Sequence, residues 1–288
     1  MPLVTPASKM WDMPLDGKTT EGRMPRWSGN VLYHLFNFIG RVFFRYEVKN
    51  VEILRSFKNK SGVVLISDHT SFADVVFIYL STRKEQWVRF MGKSDLYTKL
   101  GGFMGQVLTR VGSFPVKRNE ADLKAVKRAA KMLRDFEIVG IMPEGTRRGK
   151  GSAKLEIHSG ASLIAKMGKA VILPVGVCNV EKIKEKGKML KFPRVTIVYG
   201  EPILLSDFDF LAKEDRLDAC TWYSLREAIA LHYHKKPREV DMPGMFDGCR
   251  DFTDLFSKVD IAKRSPQECI DLLHPSEAGT RISGDEGN

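Results

Sequence analysis

The sequence predicts an α/β fold with a mixed, largely parallel central sheet flanked by helices and preceded by an N-terminal amphipathic helix. The first observation is a set of short apolar runs whose length is typical of buried strands, at residues 62–67, 137–142, 170–177 and 194–199. The second is a set of segments with helical signals between these runs, at residues 72–80, 120–135 and 159–167. Strands that alternate with helices indicate a substantially parallel sheet, because parallel neighbours need a crossover between them.

Local signals define the individual elements. The run Gly62–Ser67 carries no charge, which favours a strand buried on both faces. Asn119 is a candidate N-cap for the helix over 120–135, because acidic residues follow it in the first turn. The helix over 159–167 is expected to end at Gly168. Residues 87–91 and 214–236 predict one further strand and one further helix.

Residues 26–48 predict an amphipathic helix. Apolar residues recur at helical spacing along one stripe and polar residues along another. Such a helix either packs on the protein's own core or lies in the plane of a membrane surface, and both are possible for different parts of one face. The residues expected to contact a membrane are Trp27, Phe36, Phe38, Arg41, Phe43, Phe44 and Arg45.

Four regions are predicted along the chain. Residues 1–25 contain four prolines among polar residues and predict a flexible leader without the apolar core of a signal peptide. The amphipathic helix occupies 26–48, an α/β domain 49–236, and an acidic C-terminal appendage 237–288. No apolar run is long enough to predict a membrane-spanning helix.

Charge and cysteine content limit the possible functions. The formal net charge is +11 and the pI is near 9.4, which suits an anionic partner such as nucleic acid, an acidic membrane or a phosphorylated substrate. No nucleic-acid-binding motif is recognised, so no nucleic-acid partner is expected. The four cysteines are scattered without a CxxC pair, which predicts neither a metal site nor disulfides. Nothing in the sequence indicates the oligomeric state.

The first motif that carries chemistry spans Ser67–Asp74, between a predicted strand and a predicted helix. His69 is a candidate general base, and the carboxylate of Asp74 is suited to orient its imidazole. The two residues would point about 140° apart within one regular helix. They can meet if His69 lies in the turn and Asp74 lies one turn into the helix.

Two more motifs also follow predicted strands. The segment Pro143–Arg148 combines a glycine, which allows close backbone approach, with a hydroxyl and two arginines that suit phosphate. The segment Gly112–Asn119 ends in the cationic pair Lys117 and Arg118. Taken separately, each of the two is also compatible with a solvated turn.

In this order, the motifs resemble those of the 1-acylglycerol-3-phosphate acyltransferases and related glycerolipid acyltransferases. The hallmark of that family is a histidine and an aspartate separated by four residues, as in His69 and Asp74, followed by a Pro-Glu-Gly-Thr-Arg segment, as in Pro143–Arg147. The resemblance covers roughly residues 48–205 and also includes Lys93 and the strand 172–175. Asp68 is a departure, because relatives often have asparagine there. Its carboxylate either acts on His69 or points into the protein. Another departure is the segment 157–159, where relatives often carry lysine.

The resemblance implies transfer of a fatty acyl group from acyl-CoA or acyl-carrier protein to the hydroxyl of 1-acylglycerol-3-phosphate, giving phosphatidic acid. His69 and Asp74 would be catalytic. Substrate-binding roles would fall to Ser71, Lys93, Lys117, Arg118, Glu144, Gly145, Thr146 and Arg147. No metal or other cofactor is expected, and acyl-carrier protein is a possible partner. The expected location is the cytoplasmic face of a membrane, as a peripheral or monotopic protein.

Two alternatives remain open from the sequence. The same chemistry could serve another acceptor, such as glycerol-3-phosphate, a lysophospholipid or a glycolipid. A protein without catalysis that binds anionic lipid or nucleic acid is the other alternative, which the basic charge permits.

Overall fold

The computed structural model describes residues 5–19, 22–117, 122–148, 155–184, 189–246 and 248–275. The strands of this part of the chain are β1 (Glu47–Lys49), β2 (Val63–Ile66), β3 (Val88–Lys93), β4 (Phe114–Val116), β5 (Ile138–Ile141), β6 (Val171–Cys178) and β7 (Thr196–Tyr199). They form one sheet in the order β1-β7-β6-β2-β5-β3-β4. Neighbouring strands are parallel except β6 and β7, which are antiparallel. The predicted mixed, largely parallel sheet is therefore confirmed.

Helices cover both faces of this sheet. Those of the described residues are α1 (Ala7–Met10), α2 (Trp27–Phe43), α3 (Val51–Ser56), α4 (Phe72–Thr82), α5 (Asp95–Thr98), α6 (Phe103–Arg110), α7 (Leu123–Arg134), α8 (Gly160–Gly168), α9 (Arg216–Tyr233), α10 (Met242–Met245), α11 (Thr253–Lys258) and α12 (Pro266–Leu273). Short 3₁₀ turns lie at Lys99–Gly102, Val180–Lys182, Leu205–Phe208 and Pro237–Glu239.

The central strands are uncharged because both of their faces are buried. Side chains alternate between the faces of a strand, so Val63 and Leu65 of β2 join one core while Val64 and Ile66 join the other. Helices α2, α3, α4 and α12 pack on the first core, and α7, α8, α9 and α11 pack on the second. This arrangement of one sheet between two layers of helices leaves the carboxyl ends of the parallel strands β2, β5 and β3 at one edge of the domain.

Helix α2 ends earlier than the predicted segment 26–48. Its last residue is Phe43, because Arg45 takes a left-handed backbone conformation with φ of 44°, and Glu47–Lys49 then forms the edge strand β1. A Cβ on Gly29 would lie 2.5 Å from the Trp87 ring, so the helix backbone sits directly on the domain. No helix in the described part of the chain is both long and apolar enough to cross a membrane.

The described part of residues 1–25 packs against the domain, which differs from the predicted flexible leader. The side chains of Met10, Leu15 and Met24 are at most 2% exposed. The backbone N–H of Leu15 donates to the carboxylate of Glu137, which also pairs with the buried guanidinium of Arg89 at 2.9 Å. Apolar side chains and a buried ion pair therefore fix a segment whose proline content indicated mobility.

The C-terminal segment is also docked where it is described. Phe252 and Phe256 pack on the second core, and Cys269 and Ile270 of α12 pack on the first. Helix α7 begins at Leu123 rather than at residue 120, because the side chain of Asp122 accepts a hydrogen bond from the N–H of Ala125 (3.0 Å). The predicted cap, Asn119, lies outside the described residues.

Candidate active site

Strand register brings the first two sequence motifs together. Strands β2 and β5 pair with Ile66 opposite Ile141. His69 follows Ile66 by three residues and Glu144 follows Ile141 by three residues, so the two turns leave the sheet side by side. The carboxyl edge of a parallel sheet is where α/β proteins bind ligands.

His69 and Asp74 are in contact. His69 Nδ1 lies 3.2 Å from Asp74 Oδ2, and the two side chains are 10% and 1% exposed. The histidine lies in the turn before α4, and the aspartate lies in the first turn of that helix. The carboxylate accepts a hydrogen bond from the protonated Nδ1, so the lone pair of the neutral ring is on Nε2. That nitrogen has no hydrogen-bond partner among the described residues, so it can accept a proton from a ligand.

The turn itself holds Asp74 in place. Its Oδ2 accepts hydrogen bonds from the backbone N–H groups of Thr70 (2.8 Å) and Ser71 (2.7 Å). The Ser71 hydroxyl accepts from the N–H of Ala73 and completes a capping box with Asp74. Burial raises the pKa of the Asp74 carboxyl, and the hydrogen bonds from His69 and Ser71 oppose that change.

The Pro143–Arg148 turn is bonded to the histidine turn. The Arg148 N–H donates to the carbonyl of His69 (2.9 Å), and Glu144 Oε1 accepts from the N–H of His69 (3.3 Å). The Arg148 guanidinium also pairs with Glu144 (2.9 Å). Burial raises the pKa of Glu144, which Arg148 opposes. Glu144 Oε2 is buried and has no hydrogen-bond partner among the described residues.

Arg147 lies over the ring of Phe72, with its Cζ 3.7 Å from the ring centroid. Phe72 is the first residue of α4 and is 59% exposed, so the stack lies at the surface beside the two turns. Gly145 has a φ of 63°, a conformation that costs a side-chain-bearing residue free energy. The glycine thus lets the turn bring Thr146 and Arg147 around to the histidine.

Two of the three predicted cations lie at the ends of the next strands. Lys93 ends β3, opposite Val116 of β4, and its ammonium pairs with Asp95 at 2.5 Å. The N–H of Lys117 donates to Asp122 (3.0 Å) at the start of α7. Arg118 lies outside the described residues. Lys93 and Lys117 therefore share the sheet edge of the histidine, and no contact between them and His69 is described.

The sequence motifs did not reveal the partners of Asp68. Its carboxylate is buried and meets Arg148 Nη2 (2.9 Å) and His232 Nδ1 (2.9 Å). The only available signal was the departure at Asp68 itself, because His232 lies 164 residues away on α9.

Comparisons with known proteins identify the family of this chain. The sequence model of the Acyltransferase family matches residues 45–178. The chain is 32% identical over 164 residues to the 1-acyl-sn-glycerol-3-phosphate acyltransferase of Bacillus subtilis (strain 168), covering 56% of this chain and 76% of that protein. It is 30% identical over 145 residues to the enzyme of the same name from Streptococcus pneumoniae (strain ATCC BAA-255 / R6), covering 50% of this chain and 51% of that one.

A solved structure shares the fold. The crystal structure of the 1-acyl-sn-glycerophosphate (LPA) acyltransferase PlsC from Thermotoga maritima aligns with a TM-score of 0.50 and 19% identity, covering 71% of this chain and 81% of that one. Fold and comparisons together define the class of this protein as an O-acyltransferase. The chain belongs to the family of 1-acylglycerol-3-phosphate acyltransferases and related glycerolipid acyltransferases.

Proposed function

We propose that the protein transfers a fatty acyl group from acyl-CoA or acyl-carrier protein to the free hydroxyl of 1-acylglycerol-3-phosphate, giving phosphatidic acid. The observation that carries this proposal is the buried His69–Asp74 pair, whose free Nε2 lies beside a turn rich in phosphate-binding groups. The names of the Bacillus and Streptococcus relatives support the choice of acceptor. The proposed location is the cytoplasmic face of a membrane, and the proposed cofactor requirement is none.

His69 acts as the general base in this reaction. Its Nε2 takes the proton of the acceptor hydroxyl while the hydroxyl oxygen bonds to the thioester carbonyl carbon. Asp74 stabilises the imidazolium that forms. The carbon–sulfur bond then breaks, and the leaving thiolate takes the proton back from His69. The transfer is direct, so no acyl group is attached to the protein.

The acceptor is held by the Pro143–Arg147 turn. Arg147 supplies a planar guanidinium for the phosphate, and its stack on Phe72 limits its freedom before the ligand arrives. Glu144 has a buried side chain and supports this turn through the Arg148 guanidinium and the N–H of His69. Lys93 and Lys117 add positive charge at the same edge, and Ser71, Gly145 and Thr146 shape the turns. Arg118 is assigned to the same phosphate from the sequence motif alone.

The purified wild-type protein should acylate lysophosphatidic acid in mixed micelles in preference to glycerol-3-phosphate or lysophosphatidylcholine. In Arg147→Ala, we expect the KM for lysophosphatidic acid to rise about tenfold or more, because a charge-assisted hydrogen bond contributes about 1.5–3 kcal/mol. The KM for the acyl donor should not change. The measurement is initial rate against each substrate, with the product identified by mass spectrometry.

The matched control is Arg134→Ala, which removes an exposed arginine on α7. An equal rise in both KM values for Arg147→Ala would contradict the proposed phosphate site. If the protein acylates another acceptor and not lysophosphatidic acid, acyl transfer stands and the proposed acceptor is wrong.

A membrane-binding face is proposed for helix α2. Its outer side exposes large apolar side chains by 39–72%, namely those of Trp27, Val31, Leu35, Phe36, Phe38, Val42 and Phe43. A contiguous apolar surface of this kind is typical of a membrane or protein contact. Arg41 and Arg45 are exposed beside it and suit anionic head groups. Phe44 contributes less than predicted, because its half-buried ring packs against Phe77.

The double variant Trp27→Ser/Phe38→Ser should lose most of its binding to anionic liposomes. Both side chains are more than 60% exposed, so their removal leaves the core intact, whereas deletion of residues 1–46 would remove the buried Met10 and Leu15. Burial of a large apolar side chain contributes about 1.5–3 kcal/mol, so the partition coefficient should fall by about 100-fold or more. Liposome sedimentation measures this change.

Leu123→Ser/Phe210→Ser is the matched control, because both side chains are exposed on the opposite side of the sheet from α2. Its binding should equal that of the wild type. Equal losses in the two double variants would show that α2 has no special part in lipid binding.

A further inference from the structure

We infer that His232 is a positioning residue for acyl transfer, because a buried chain of charges connects it through Asp68 and Arg148 to the turn that carries His69. This inference rests on the proposed role of His69 as the base. It adds a residue from a distant helix to a site that the sequence motifs define locally.

His232 is enclosed near the end of helix α9 and is 2% exposed. Its Nδ1 lies 3.0 Å from Oδ1 and 2.9 Å from Oδ2 of Asp68. Its Nε2 lies 3.1 Å from Glu181 Oε2. Glu181 is the outermost of these connected charged groups, and its side chain is 34% exposed. Both ring nitrogens therefore meet a carboxylate.

This arrangement requires a charged ring. A neutral imidazole has one donor and one acceptor, whereas an imidazolium has two donors. Two carboxylates can therefore both accept only from the imidazolium. Burial lowers the pKa of His232, but the hydrogen bonds to Asp68 and Glu181 outweigh burial and raise the pKa to about 9. The position near the C-terminus of α9 favours the same charge.

Asp68 connects the charged His232 to the active site. It directly precedes His69 in the chain and lies between two cations, His232 on one side and Arg148 Nη2 on the other (2.9 Å). Arg148 in turn donates its N–H to the carbonyl of His69 (2.9 Å) and its guanidinium to Glu144. Ion pairs of Asp68 thus hold the backbone before His69, and a hydrogen bond from the Arg148 N–H holds the His69 carbonyl.

Loss of His232 would leave Asp68 as a buried carboxylate with one cation in place of two. A buried charge that loses a partner is strongly destabilised, and the backbone can relieve this cost by moving the carboxylate toward water. Such a movement would carry His69 away from its position against the acceptor hydroxyl. The acceptor phosphate is held by the neighbouring turn, so turnover should suffer more than binding.

A double-mutant cycle tests the inference, with the wild type, His232→Leu, Asp68→Asn and the double variant. In the wild-type background, His232→Leu should lower kcat by about 10–100-fold, because a misplacement of about 1 Å has an effect of that order. The KM for the acceptor should change much less. Asparagine needs no counter-charge, so in the Asp68→Asn background the same replacement should change kcat by no more than about twofold.

A similar fold-loss of kcat in both backgrounds would overturn the inference, because it would show that His232 does not act through Asp68. Leu225→Ala is the control for packing damage, since Leu225 is fully buried in the same helix. This variant should lower Tm and leave kcat close to that of the wild type.

The charge of His232 gives a second readout that does not depend on acyl transfer. In protein labelled with ¹⁵N-histidine, the His232 signals, assigned by their loss in His232→Gln, should show an imidazolium at neutral pH in the wild type. In Asp68→Asn the pKa of the His232 ring should be lower than in the wild type, because one of its two carboxylate partners is gone. A neutral ring in the wild type would overturn the inference. If His69→Ala stays active while the imidazolium is observed, the proposed base is wrong, and the charged contacts between His232, Asp68 and Arg148 are still supported.

Discussion

Replacement of His69 with alanine is expected to lower kcat by about 10²–10⁴-fold, the usual contribution of a general base. The imidazole Nε2 has no partner among the described residues, so no neighbouring group there is placed to take its role. The side chain is 10% exposed and makes its hydrogen bond to Asp74 alone, so the variant should fold. The measurement is the initial rate of lysophosphatidic acid acylation, together with Tm.

His34→Ala provides the control, because it removes an exposed histidine from helix α2. Its kcat should match that of the wild type. A kcat for His69→Ala within tenfold of the wild type would exclude His69 as the base.

Asp74→Asn is expected to lower kcat by about 10²–10⁴-fold for a different reason. The amide oxygen can still accept from the N–H groups of Thr70 and Ser71, so the helix cap should persist. The same oxygen, Oδ2, also contacts His69 Nδ1 (3.2 Å), so the amide nitrogen takes the Oδ1 position beside the Thr70 hydroxyl (3.4 Å). A neutral amide cannot stabilise the imidazolium that forms when Nε2 takes the proton of the acceptor hydroxyl. Initial rates and Tm together measure the two effects.

Asp241→Asn is the control for the cap, because the Asp241 carboxylate also accepts a backbone N–H hydrogen bond at the start of a helix, from Gly244 of α10. Both variants should keep a Tm close to that of the wild type, and only Asp74→Asn should lose turnover. A loss of Tm in Asp74→Asn without a loss of kcat would make Asp74 a structural residue.

The parts of the fold that the sequence predicts well depend on local patterns. Uncharged runs such as 62–67 and 138–142 contain the central strands β2 and β5, because a strand that is buried on both faces favours apolar side chains. The contact between His69 and Asp74 follows from the same kind of pattern. A strand, a turn and a capped helix in that order fix the two residues relative to each other within eight positions.

Contacts between distant segments could not be predicted in this way. The packing of Leu15 depends on Glu137, which lies 122 residues away, and nothing in the proline-containing segment indicates that pairing. The contact between Asp68 and His232 joins the first sequence motif to the last turn of α9. Spacing along one chain segment carries no information about such pairs, because packing of the helices on the sheet creates them.

The close packing of helix α2 on the domain affects how the protein would be oriented on a bilayer. At Gly29 the helix backbone rests on the Trp87 ring and the Arg110 carbonyl, without room for even one methyl group. The helix is therefore fixed rigidly to the domain. With the proposed membrane contact through this helix, the domain would keep one height and one tilt above the lipid, and His69 would face each acceptor from the same direction.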